Sequence, residues 1–166
     1  RHADRPGEVI AAIVDRSDSH YLYEQLLHRE AQYRSVVEDQ TEAISRLLPD
    51  GTLIFVNNVY CRLFGKTVEQ LIGSKWHPVA HPDDLPMIEA KLNEMSPDNP
   101  VITIENRVQI ADGDLRWMQF VNRGFFDSDG RLKEFQSVGR DISRLKAAEI
   151  VLLESQARLE RAQEVA

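Results

Sequence analysis

Between Val101 and Ile110 apolar and polar positions alternate. Ile102, Ile104, Val108 and Ile110 share one face, and Thr103, Glu105, Arg107 and Gln109 the other, which is the period of a strand. Asn106 interrupts the apolar face. Two further strands are predicted on either side of Asp129-Gly130, after an earlier turn at Asp112-Gly113. They carry Trp117, Met118, Phe120, Val121, Phe125 and Phe126, bulky residues that suit a pleated surface. At Asp141-Ile142-Ser143 the period changes. Leu145, Leu152, Leu159 and Ala166 then recur every seven residues, with Ala148, Ser155 and Ala162 as a companion seam of small residues, predicting a helix that pairs with another.

Upstream, residues 7–14 read as a short strand entered from Pro6-Gly7, and a helix is expected over 19–40. On it Leu22, Leu26, Arg29, Tyr33 and Val36 alternate at four- and three-residue spacing, a pairing face that Arg29 interrupts. Ala43–Leu48 and Thr52–Val56 predict a hairpin around Pro49-Asp50-Gly51. Asn57 or Asn58 caps a short helix holding Tyr60, Leu63 and Phe64, closed by Gly65. Thr67 with Gln70 is a capping box, ended by Gly73. Trp76-His77-Pro78 is a loop or a single turn, and a helix runs from His81-Pro82-Asp83-Asp84 to about Met95. The whole predicts an α+β unit with an antiparallel sheet of about five strands.

Composition narrows the class. Apolar residues make up 42% and charged residues 28%, a globular mixture, and the net charge of −7 argues against nucleic acid. The longest apolar run, Val9 to Val14, is far short of the roughly 20 residues of a membrane helix. One cysteine, Cys61, and no signal-peptide pattern point to the cytoplasm. Placing residue i against i+126 yields eight identities among 40 pairs, including Asp15/Asp141, Ser17/Ser143 and Leu26/Leu152. A chain that starts without Met, stops within a heptad pattern and repeats strand, Asp-x-Ser and helix at both ends is expected to be part of a tandem array. The expected division is 1–18 as the last strand of a preceding unit, 19–41 a flanking helix, 42–143 the domain, and 144–166 the outgoing helix.

Several fragments in order carry a resemblance. They are Pro49-Asp50-Gly51-Thr52-Leu53-Ile54-Phe55-Val56-Asn57, Leu63-Phe64-Gly65, Glu69-Gln70-Leu71-Ile72-Gly73 and His81-Pro82-Asp83-Asp84. Glu105-x-Arg107, Asp112-Gly113 with Trp117, and Gly139-Arg140-Asp141-Ile142-Ser143 complete the series. Together, over about Tyr33 to Leu145, they resemble the PAS sensor family, in which the exit triplet usually ends in Thr; Ser143 keeps the hydroxyl. The resemblance implies a PAS fold, with short helices on one face of the sheet and amphipathic helices at both ends. It also implies a cavity under those helices, where Trp76, Phe55, Phe64, Ile104, Met87 and Asn106 are the candidate lining.

Weighed as chemistry, Asn106 needs a partner, either a neighbouring backbone group or a ligand. Glu105 and Arg107 on the opposite face are placed to pair across strands, worth about 0–1 kcal/mol if exposed. Cys61 follows Tyr60 on the helix after the second strand, away from the later-helix Asn-Cys-Arg motif of flavin-binding relatives, so it reads as a small buried thiol. His77, His81, Asp83 and Asp84 crowd together without a regular ligand spacing, and an Asp capping the following helix accounts for them better than a metal. That helix has no histidine between Asp83 and Met95 to ligate haem, and Met87 and Met95 read as core filler. No tightly bound cofactor is expected, and no nucleophile–base pair, phosphate loop or carboxylate dyad suggests catalysis.

The functional expectation is a PAS sensor and dimerisation module of a bacterial-type signalling protein, upstream of a histidine kinase or cyclic-dinucleotide enzyme. It would homodimerise through Leu22, Leu26, Tyr33, Val36, Leu145, Leu152 and Leu159. It would pass ligand or partner signals through Asp141, Ile142 and Ser143, with Ser143 or Asp141 capping the exit helix. The alternatives are a ligand-free structural spacer in a PAS array and a small metal-dependent enzyme using His77 and His81.

Overall fold

The computed structural model describes residues 18–32 and 41–165. The strand expected at 7–14, Tyr33, Val36 and Ala166 lie outside the described residues. The chain divides into two units, Arg1–Asp39 and Gln40–Ala166. In the first, residues 18–32 form a helix, α1, exposed along its length, with His20 and Glu24 one turn apart at 3.2 Å. Leu22 and Leu26 are among its exposed residues.

In the second unit the expected hairpin forms from β1 (Ala43–Leu47) and β2 (Leu53–Val56). Three short helices follow, α2 (Asn58–Phe64), α3 (Val68–Leu71) and α4 (Leu85–Leu92). The remaining strands, β3 (Val101–Gln109), β4 (Leu115–Phe126) and β5 (Leu132–Asp141), lead into α5 (Ser143–Val165). The sheet is five-stranded and antiparallel in the order β2-β1-β5-β4-β3, so the hairpin docks beside the last strand and β3 is an edge.

Local chemistry accounts for these boundaries. Asn57 caps α2 by accepting from Tyr60 N, and Gly65, at φ 64°, closes it with a bond to Cys61 O. Thr67 and Gln70 make both bonds of the capping box on α3. Before α4 the chain makes 3-10 turns at His77–Val79 and Pro82–Asp84, because Pro78 and Pro82 bring fixed φ and no N–H. The expected helix from Asp83 to Met95 is therefore shorter than its sequence pattern, starting at Leu85 and ending at Leu92.

One face of the sheet and the short helices enclose the core. Leu53, Val108 and Met118 are almost fully buried, joined by Leu47, Tyr60, Phe64 and Phe135. A second apolar group, Ala80, Ile88, Ile102 and Ile104, packs α4 on β3. Gly139 has no side chain because the Phe120 ring lies across it; a Cβ there would stand 2.5 Å from Cε1.

Candidate functional site

A cavity lies between the sheet and the short helices. Tyr60 and Phe64 of α2, Trp76, and Ile88 and Leu92 of α4 form its cover. Ser45, Ile104, Asn106, Phe120, Asn122 and Ser137 form its floor. It holds about 60 Å³ open to the centre of a water-sized sphere, whereas one water needs about 10–15 Å³. That is room for a few waters or one small molecule.

Trp76 is the wall between this cavity and an open groove lined by Asp50, Gly51, His77, Glu89 and Asn93. Its indole stacks on His77 at 4.1 Å, and His77 Nε2 approaches Glu89 at 3.4 Å. Gly51 lets the indole close, since its φ is +84° and a Cβ there would meet Trp76 Nε1 at 2.7 Å. On the groove's rim the Lys75 ammonium bonds Asp50 and holds its carboxyl down to about 2.

Of the candidate lining residues, Trp76, Phe64, Ile104 and Asn106 border the cavity, and Phe55 and Met87 do not. Phe55 pairs with Arg46 on the sheet's other face, because the register shifts between Arg46 and Leu47, leaving Ile54 as an extra residue, so that Phe55 and Leu53 no longer share a face as a regular strand would have them. Met87 is exposed on α4, and its neighbour Ile88 makes the inward contact. Asn106 is buried, and its Nδ2 donates to Arg107 O at 3.1 Å. The periodicity that singles out Asn106 also contains Ser45, Asn122 and Ser137, each in phase with buried neighbours on its strand, but their strands alternate less regularly than β3 and do not mark them from sequence alone.

The four residues of the His77–Asp84 cluster have separate roles. The capping acceptor is His81 Nδ1, which takes the Asp83 N–H at 3.2 Å, rather than an Asp as expected. Asp84 instead accepts from Arg107 N, Nε and Nη2 at 2.8, 3.1 and 2.6 Å, closing the exposed edge of β3. Among the described residues no group of three or more His, Cys, Asp or Glu is placed to hold a metal. Cys61 is half-buried rather than buried, and desolvation pushes its thiol up.

The exit junction sits on the opposite face of the same strands. Asp141 Oδ1 accepts from Ser143 N at 2.8 Å and so starts α5, while Ser143 Oγ accepts from Trp117 N at 3.0 Å. Ile142, buried between them, donates its N–H to Trp117 O at 2.8 Å. Lys146, one turn on, pairs with Glu105 at 2.7 Å, and its Nζ lies 5.2 Å from the Trp117 ring centre. The Arg107 guanidinium lies 5.8 Å from that centre. Glu105 and Arg107 thus each pair across strands as expected, Glu105 accepting from Gln119 Nε2 at 3.2 Å and Arg107 lying over its direct neighbour Trp117. Beyond the junction Leu145, Leu152 and Leu159 are exposed, as are Ile150, Val151 and Leu153.

These contacts have a signature in acid. Arg107 holds the Asp84 carboxyl below its ordinary 3.8, and Lys146 holds Glu105 below 4.5. A lowered carboxylate contributes its stability in full above the unfolded value and loses it as pH falls through the folded one. Asp84→Asn is therefore expected to lower the thermal midpoint at neutral pH, with the difference from wild type shrinking as pH falls below about 3.8. A difference that stays constant down to about pH 2 would refute the assignment to Asp84.

Comparison with known proteins matches the PAS fold family profile to residues 53–139. The chain is 26% identical over 144 residues to the two-component sensor PprA of Pseudomonas aeruginosa, covering 87% of this chain and 16% of PprA. It is 28% identical over 173 residues to the C4-dicarboxylate transport sensor protein DctS of Rhodobacter capsulatus, covering 94% of this chain and 25% of DctS. The chain thus spans a quarter or less of these relatives. The PAS domain of an HTR-like protein from Haloarcula marismortui superposes with TM-score 0.64 at 20% identity, over 74% of this chain and 99% of that one.

Proposed function

This chain belongs to the PAS family, and from that premise we propose that it is a sensor and dimerisation module within a longer signalling protein. The cavity is the input, and α5 carries the output to a histidine kinase or cyclic-dinucleotide enzyme domain. The observation that carries this reading is Trp117: its backbone bonds both Ile142 and Ser143, while the strand it belongs to also presents Phe120 and Asn122 to the cavity. A change in what fills the cavity would move β4, and the start of α5 would follow. PprA and DctS are sensors by name, which agrees with a regulatory rather than catalytic role for the domain.

The second copy docks in this reading along the seam Leu145, Leu152 and Leu159, whose seven-residue spacing and exposure suit a helix pair, with Leu22 and Leu26 offering a second apolar face. Small residues opposite the leucines keep two pairings close in energy, as a switch requires. Among the described residues no helix is long and apolar enough to cross a membrane.

The test is Asp141→Ala in the full-length protein. It removes the capping bond to Ser143 N from an exposed position, so the fold is expected to persist while signal-dependent output is lost. Full regulation in that variant would count against transmission through this junction.

A further inference from the structure

The cavity floor contains a polar row that crosses three strands. Ser45 of β1 pairs directly with Ser137 of β5, and Ser137 with Asn122 of β4; the row ends at Ile102 of β3. Directly opposed residues in a sheet have Cβ atoms about 4.5–5.5 Å apart, so the three polar heads form one continuous strip. They are 4%, 7% and 4% exposed respectively. The rows on either side are apolar or lack a side chain, Leu47–Phe135 and Ala43–Gly139–Phe120–Ile104.

The hydrogen bonding of the row is incomplete within the protein. Asn122 is held by its Nδ2, which donates to Ile102 O and Phe120 O at 3.3 Å each. Its Oδ1 remains as an acceptor. Among the described residues no group bonds Asn122 Oδ1 or the hydroxyls of Ser45 and Ser137, although all three residues line the cavity. Buried polar groups in folded proteins nearly always have a partner. Among the described residues no Asp, Glu, Lys, Arg or His lines this space, and the one titratable group there, the Tyr60 phenol, is pushed up by burial.

We propose that the cavity binds one small uncharged molecule, of about four to six heavy atoms, with a hydroxyl or primary amide at one end and an apolar body. Its polar end lies on the Ser45–Ser137–Asn122 row, where it donates to Asn122 Oδ1 and exchanges hydrogen bonds with the two hydroxyls. Its apolar body lies against Phe120, Ile104 and Ile88. A carboxylate or ammonium is excluded, because an ion here would lose its hydration without gaining a countercharge. The assignment rests on the cavity being the sensor's input and adds the chemical class of what it takes.

The experiment titrates the chain with n-butanol, n-pentane, n-butylammonium and butyrate, following by NMR the backbone amides of Ile104 and Phe120, which line the cavity and are retained in every variant. Saturable binding of n-butanol is expected, at least about tenfold tighter than n-pentane, one hydrogen-bonded group's worth of preference. No shift is expected with either ion at the same concentration. Asn122→Leu with Ser137→Ala should remove the alcohol's preference and leave n-pentane binding intact. Should that pair fail to fold, Ser45→Ala with Ser137→Ala, which changes only two hydroxyls, carries the same comparison. Equal binding of alcohol and alkane, binding of either ion, or no saturable binding would overturn the proposal and leave the row hydrated. The same alcohol added to the full-length protein separates the two readings: binding without a change in output refutes the sensor role and leaves the site standing.

Discussion

Asn57→Ala is expected to lower the stability of the sheet unit by about 3 kcal/mol and its thermal midpoint by about 10 °C. Asn57 stands where β2 passes into α2 and is 2% exposed. Its Oδ1 accepts from Ile44 N and from Tyr60 N, both at 3.0 Å, while its Nδ2 donates to Glu42 O at 3.0 Å. One side chain thus caps a helix and stitches the start of β1 to it. Alanine would strand two backbone donors, one buried and one part-buried, at about 1–3 kcal/mol each. The two costs overlap because they share one amide, which is why the total is set below their sum. Urea unfolding of both proteins checks this, and a loss under about 1 kcal/mol would show that the stitch is replaceable.

The second large effect is expected at Trp117. Its backbone bonds hold Ile142 and Ser143, and its ring faces both Lys146 and Arg107. Arg107 in turn binds Asp84, which immediately precedes the helix α4 that covers the cavity. The chain of contacts from cover to exit helix is therefore Asp84, Arg107, Trp117 and Lys146, with Glu105 holding Lys146 from β3. Trp117→Ala keeps the backbone bonds and removes the ring. Amide exchange over residues 143–146 should quicken by about tenfold, an opening cost lowered by about 1.4 kcal/mol. Exchange in β5 should stay unchanged. Protection of the first turn of α5 equal to that of the wild type would remove Trp117 from the path. In the full-length protein the variant should respond weakly or not at all to occupancy of the cavity.

Much of this architecture was legible along the chain, because each element announces itself locally. The Thr67/Gln70 capping box, the Asn57 cap, the Gly65 stop and the alternation on β3 all form as expected, since each depends on bonds or periods spanning only a few residues. Where expectations failed, a distant partner decided the outcome. Asp84 reads as a helix cap, but its carboxylate finds a guanidinium 23 positions away, and the neighbouring His81 takes over the capping bond. Phe55 reads as lining, but the pairing of β2 with β1 turns it outward beside Arg46.

The sequence by itself thus determined the order of elements, the sheet's apolar face and the exit helix's heptad, because propensity, capping and period act over a few residues. Membership of the family followed from the same short motifs in order. Only the tertiary structure decided that Ser45, Ser137 and Asn122, separated by 92 and 15 positions, form one row. Strand register brings them together, and register is set by the packing of whole faces rather than by any of the three residues.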